Sequence, residues 1–142
     1  MSTQELIRKL EKLDERALLQ EVTVRYLLSL PPALAVGAHL KNTVALAHGR
    51  DLFVSQHLGD PETAEAHRAF RRAARDLPAL YGAQPQVVVC DRHPDYLSTQ
   101  DARARPLPRL EVQHHEAHVL ACMIENELEP PVLGVAWDGT GL

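Results

Sequence analysis

The residues best equipped for chemistry in this chain are crowded into Val112-Gln113-His114-His115-Glu116-Ala117-His118. His114 and His118 are four positions apart, so a helix starting near Gln113 projects both imidazoles from one face, about 6 Å apart at the backbone. Two helical side chains at that spacing can share a metal ion. The partial positive charge of a helix's first turn disfavours an imidazolium and leaves each ring neutral, with a lone pair to offer.

The zinc-protease pattern H-E-x-x-H is close by but out of register. The two histidines four apart have His115 where that pattern needs its glutamate, and His115-Glu116 meets His118 after three residues. A metalloprotease is therefore set aside. The competing reading is a wet strand-to-helix corner rich in histidine, in a chain with 8 histidines.

The elements that must carry these side chains can be read from apolar patterning. Val87-Val88-Val89-Cys90 is an unbroken run with no polar alternation, which predicts a strand of a parallel sheet covered on both faces. Leu110 to Gln113 predicts a second, shorter one. The helix from about His115 is expected to bury Ala117, Leu120, Ala121, Ile124 and Leu128 and to stop at Pro130-Pro131. Val132 to Trp137 then reads as a further strand, running into Asp138-Gly139-Thr140-Gly141.

Upstream, residues 33–40, 43–47 and 51–56 predict three short antiparallel strands, with Lys41-Asn42 and His48-Gly49-Arg50 as the turns. Asp60-Pro61-Glu62 predicts a helix start with Asp60 as cap, and Ala66, Phe70, Ala73 and Leu77 form its apolar stripe up to Pro78 or Gly82. A short helix is expected from Ser98. At the N-terminus Ser2-Thr3-Gln4-Glu5 has capping-box form, and Leu6, Leu10, Leu13 and Ala17 follow at helical spacing. Residues 20–30 mix strand and helix formers and are read as continued helix. Pro31-Pro32 closes that piece and divides a helical extension, 1–31, from a domain, 32–142.

From Ala33 the order is thus β-β-β-α-β-α-β-α plus one extra strand, an α/β fold corresponding to a single lobe of the ribonuclease-H-like or actin-like class. Two-lobed proteins of that class hold a nucleotide between lobes, against turns of small residues. Gly37 to Thr43 and Asp138 to Gly141 occupy such places, though a lone Asp-Gly-Thr-Gly reads equally as a plain turn. Lys41 and Asn42 are either phosphate contacts or solvated turn residues. Asp91, His93, Asp95 and Tyr96 follow a buried strand at the sheet end where such folds place ligands, so they are either pocket wall or a structural turn.

Composition sets the outer limits. With 142 residues, 45% of them hydrophobic, and a net charge of −4, the chain can bury one core and is expected to form one domain. Lys and Arg look scattered and aromatics are 4%, which argues against nucleic-acid binding. Cys90 and Cys122 are expected to be buried thiols in a reducing compartment, and no signal or membrane anchor is evident, so a cytoplasmic location is expected.

Five blocks in order carry a resemblance. They are Ala33 to Thr43, Ser55-Gln56-His57-Leu58-Gly59-Asp60, Cys90-Asp91-Arg92-His93-Pro94-Asp95-Tyr96-Leu97-Ser98-Thr99, Val112 to His118, and Leu133 to Gly141. Together they resemble the HypF carbamoyltransferases that mature [NiFe]-hydrogenases, over about residues 32–142, the first half of that family's actin-like carbamoyl-transfer domain. The resemblance implies a role in passing a carbamoyl group, from a carbamoyl-adenylate made with ATP, to the C-terminal cysteine of a HypE-type partner. It further implies that His114, His118 and Asp138 are metal ligands, for Fe(II) or Zn(II), with Lys41, Asn42 and the Asp138-Gly139-Thr140-Gly141 turn near the nucleotide or phosphate. Where the family usually has another histidine this chain has Glu116.

The resemblance also has edges. The family's acylphosphatase-like, zinc-finger and adenylate-forming parts and its second lobe lie outside the matched blocks, and residues 1–31 do not match. Three functions follow as expectations: a carbamoyltransferase lobe that acts only with further parts, a non-catalytic metal-binding or interaction module derived from it, or a stand-alone non-haem iron enzyme using a facial triad. Val132 to Trp137, as a strand without a neighbour, is expected to favour self-association or a complementary fragment.

Overall fold

The computed structural model describes residues 22–139. The expected helix over Ser2 to Ala17 lies outside them. Four strands and three helices follow in the order β1 (Val22–Ala35), β2 (Ala45–Val54), α1 (Ala64–Leu80), β3 (Val87–Asp91), α2 (Leu97–Ala104), β4 (Arg109–Val112) and α3 (His114–Glu125). They make one mixed sheet in the order β2-β1-β3-β4. β1 and β2 pair antiparallel, whereas β3 runs parallel to both β1 and β4. The chain therefore leaves the hairpin at its edge, crosses β1 through α1, and adds β3 and β4 on the far side.

Three expectations in the first half are corrected. Residues 22–30 are strand, since they pair with β2 from Val22↔Val54 to Leu30↔Gly49. Pro31-Pro32 does not end the segment but lies within β1, and the register slips between Leu30 and Ala33, where the two prolines offer no N–H to the ladder. The two strands expected around His48-Gly49-Arg50 are one strand, β2. Gly49 sits within it at φ 65°, a left-handed residue that makes a bulge rather than a turn.

Helix α1 starts later than expected. Thr63 is its cap, accepting the Ala66 N–H at 3.1 Å, while the Asp60 carboxylate accepts the Lys41 N–H at 2.8 Å. Its stripe is nevertheless close to the one expected, with Phe70, Ala74 and Leu77 buried. These side chains meet Leu34 and Val36, Val44 and Leu46, Val88 and Cys90, and Ala102 of α2 in the single core of the described residues. Burial alternates along β3, so Val88 and Cys90 are enclosed but Val87 and Val89 are half covered. The prediction of a strand fully covered on both faces fails among the described residues, where the second face of β3 stays partly open at Val87 and Val89.

That open face follows from the C-terminal third. No residue of α3 is buried, so the expected burial of Ala117, Leu120, Ala121, Ile124 and Leu128 does not occur. Residues 132–138 form no strand, and Leu133 and Trp137 are 96% and 98% exposed. A backbone not paired to a sheet edge is free to fold back, and this segment returns across α3.

Candidate metal centre

The site is assembled where β3 and β4 end. The two strands are paired in register, Asp91 beside Val112, so the carboxylate at the end of β3 stands next to the residue that leads into α3. Gln113 begins the helix by accepting the Glu116 N–H on its side-chain oxygen at 3.0 Å, which fixes His114 as the first helical residue. One turn later His118 lies on the same face, and the two rings are 4.8 Å apart between centroids. His115 instead pairs with the Gln113 side chain, and Glu116 is exposed, so both lie off the shared face.

Asp91 is buried and fully engaged. Its Oδ1 accepts the His93 N–H at 2.8 Å, its carbonyl accepts from Thr99 Oγ1 at 3.1 Å, and its Oδ2 lies 2.8 Å from His114 Nδ1. A carboxylate only accepts, so this bond is made by the His114 tautomer that carries a proton on Nδ1. In the neutral ring this leaves the Nε2 lone pair directed outward.

The third group arrives from the returning segment. Gly134 lies so close over Val119 of α3 that a Cβ would overlap both methyl groups, and this contact needs glycine. Four residues on, Asp138 Oδ2 stands 2.8 Å from His114 Nε2 and 3.5 Å from His118 Nε2, while the two Nε2 atoms are 3.2 Å apart. The Gly139 N–H donates to Asp138 Oδ1 at 2.7 Å. That bond, assisted by the two imidazoles, holds the Asp138 carboxyl below the usual carboxylate range despite some desolvation, so it stays ionised further into acid.

The triangle of donors fits a small divalent cation. Ligand bonds of about 2.1 Å place two donors roughly 3.0 Å apart in octahedral and about 3.4 Å apart in tetrahedral coordination, and the observed edges bracket those values. The one group of three or more potential metal donors among the described residues is this one. His118 is more than half exposed, which leaves the outer side accessible to a further ligand.

Around it lies the loop expected to form a wall. His93 and Tyr96 stack at 4.1 Å, and His39 stacks on Tyr96 at 5.2 Å. Burial raises the Tyr96 hydroxyl above its ordinary range, with Asp91 and Asp138 adding to the effect, which marks the phenol as a neutral donor near both carboxylates. Asp95 is exposed, and only its backbone engages the loop, its N–H donating to His93 Nδ1.

The expected phosphate residues separate. Asn42 is buried and commits its amide to the Val36 and Ala38 carbonyls at 2.9 and 2.6 Å, holding the turn that Gly37 makes at φ 67°. Lys41 is exposed in a left-handed conformation, φ 49°. Gly139 adjoins the centre through Asp138, and Thr140 and Gly141 lie outside the described residues.

Two contributors escape sequence reasoning, and a third takes a role other than the one expected. His39 bonds Glu62 at 3.0 Å and completes the ring stack, a contact across 23 positions that no local pattern announces. Gly134 serves by lacking a side chain. Asp91 was read as wall, yet it orients His114; its place at the end of a strand paired with the one before α3 was the available signal.

The sequence model of the HypF Kae1-like domain matches residues 29–125. Carbamoyltransferase HypF of Synechocystis sp. is 51% identical over 109 residues, 76% of this chain and 14% of that protein. Carbamoyltransferase HypF of Rhizobium leguminosarum bv. viciae is 43% identical over 111 residues, 78% of this chain and 15% of that protein. A crystal structure of full-length HypF in the phosphate- and nucleotide-bound form superposes with a TM-score of 0.81 at 38% identity, over 84% of this chain and 19% of that one. HypF of T. kodakarensis gives 0.66 at 26% identity, over 75% of this chain and 15% of that one. The chain thus spans a small fraction of the length of these relatives. Within that span the family model and these relatives agree, and the chain belongs to the HypF family over the region that matches its Kae1-like domain.

Proposed function

We propose that this chain supplies the metal-holding side of a HypF-type carbamoyl-transfer site, with His114, His118 and Asp138 as ligands and Asp91 orienting His114. The observation that carries the reading is the 2.8 Å bond from His114 Nδ1 to Asp91, which aims Nε2 at the other two donors. Fe(II) or Zn(II) suits two imidazoles and a carboxylate with open positions, and when bound supplies a Lewis acid for a phosphate or carbamoyl oxygen. ATP or carbamoyl-adenylate is assigned to the same mouth, with Lys41 and the backbone of Gly139, Thr140 and Gly141 toward phosphate and Asn42 shaping the turn. Tyr96 and His93 make the wall, and a HypE-type tail is the acceptor. The lobe is read as actin-like, acting with a second lobe against its open face, in the cytoplasm, where the two free thiols persist. No described helix is long and apolar enough to cross a membrane.

The test is an anaerobic titration of the purified chain with Zn(II) or Fe(II). One equivalent is expected to bind and raise Tm, and His114→Ala, His118→Ala and Asp138→Ala each abolish the shift. A chain that binds no stoichiometric metal near neutral pH overturns the proposal. Metal binding without any effect of ATP favours the non-catalytic module instead.

A further inference from the structure

The arginines of α1 form a pattern that the metal centre does not use. Arg68, Arg71, Arg72 and Arg75 fall at i, i+3, i+4 and i+7, so one face of α1 carries four guanidiniums over two turns. Scattered when read along the sequence, they are a stripe on the helix. Arg105, at the end of α2, faces them across a groove of about 490 Å³ whose lining contains one carboxylate, Asp101.

The internal charge balance of this groove is incomplete. Asp101 lies low between the helices, with Arg105 Nη2 at 2.8 Å and Arg71 Nε at 3.8 Å. Asp76 on the flank holds Arg75 at 2.7 Å and Arg72 at 3.3 Å. Two carboxylates thus serve four of the five arginines, and Arg68 has no ion pair among the described residues. Like charges three and four apart repel along a helix, and Asp76 and Asp101 offset this for Arg71, Arg72 and Arg75 but not for Arg68. In a chain of net charge −4 this is a local inversion of sign.

Guanidinium forks suit carboxylates and phosphates alike, and three features select carboxylates. Asp101 and Asp76 each already bridge two of these arginines, so the spacing accepts carboxylates. The lining has no aromatic ring on which a base would stack. The stripe from Arg68 to Arg75 is roughly 10 Å long, short for tracking a duplex backbone but matched to alternate side chains of an extended peptide, about 7 Å apart.

We propose that the α1–α2 groove binds an acidic peptide segment of another protein, whose carboxylates are taken up by Arg68, Arg72 and Arg75. Arg105 precedes β4, whereas Asp91 and His114 lie beyond the opposite strand ends, so such a segment docks away from the metal centre and leaves it open.

The experiment is fluorescence anisotropy of labelled hexaglutamate against the full chain at low salt, with hexalysine and a thymidine oligonucleotide of equal charge as comparisons. Saturable binding of hexaglutamate alone is expected, weakened about tenfold by R68E/R72E and by salt, and unchanged by the charge-matched R50E/R109E. R68Q/R72Q, checked by circular dichroism, decides the matter if the reversal unfolds, and is expected to weaken binding as well. Absence of saturable binding, an equal loss with R50E/R109E, an unaffected R68Q/R72Q, or tighter binding of the oligonucleotide overturns the proposal.

Discussion

Asp91 and His114 meet at 2.8 Å across the gap between the end of β3 and the start of α3. With the proton on Nδ1, the bond leaves the Nε2 lone pair of His114 turned toward the other two donors. Asp91→Asn keeps the size but loses the charge that strengthens the ring as a donor. Zinc affinity, measured by competition with a chromophoric chelator, is expected to fall about 10- to 100-fold while Tm changes far less. Unchanged affinity would remove Asp91 from the centre.

Gly134 offers a test that alters no donor. Gly134→Ala forces the 132–138 segment off Val119 and carries Asp138 away from the histidines. Zinc affinity is expected to drop about tenfold or more. Val119→Ala makes room for the new methyl, so the double variant is expected to recover most of the loss, and independent effects of the two changes would contradict this account.

Burial separates α1 from α3 as contributors to stability. Phe70→Ala opens the middle of the core and is expected to cost about 3–5 kcal/mol by urea denaturation. Leu120→Ser, on a side chain 44% exposed, is expected to lie within about 0.5 kcal/mol of the parent.

Leu133, Val135 and Trp137 form an exposed apolar run beside α3. Concentration-dependent self-association, read by light scattering after size exclusion, is expected for the parent and lost in L133S/V135S/W137S. A monomeric parent at high concentration would count against it.

The two cysteines should differ in reactivity. Cys122 is exposed, correcting the expectation that both are buried, whereas burial lifts the Cys90 thiol above its ordinary range. A raised thiol pKa means less thiolate at any given pH below it, so iodoacetamide at pH 8 is expected to label Cys122 at least about tenfold faster by mass spectrometry. Comparable rates would show that β3 opens readily.

The sequence by itself determined the local matters: the i, i+4 pairing of His114 and His118, the Phe70–Leu77 stripe, the β3 run, and the order of blocks that carries the family. Each depends on neighbours a few residues away, where periodicity is a direct consequence of backbone geometry. Tertiary structure decided what needs distant partners. It drew residues 22–30 into a strand because β2 offers a ladder that outweighs their mixed propensity, and it left α3 uncovered although its pattern asked for burial. It also set a carboxylate from 23 residues earlier against His114 Nδ1, and brought Asp138 back because Gly134 lets the chain press on Val119. An apolar pattern states a preference for burial; only the rest of the fold determines whether a surface exists to meet it.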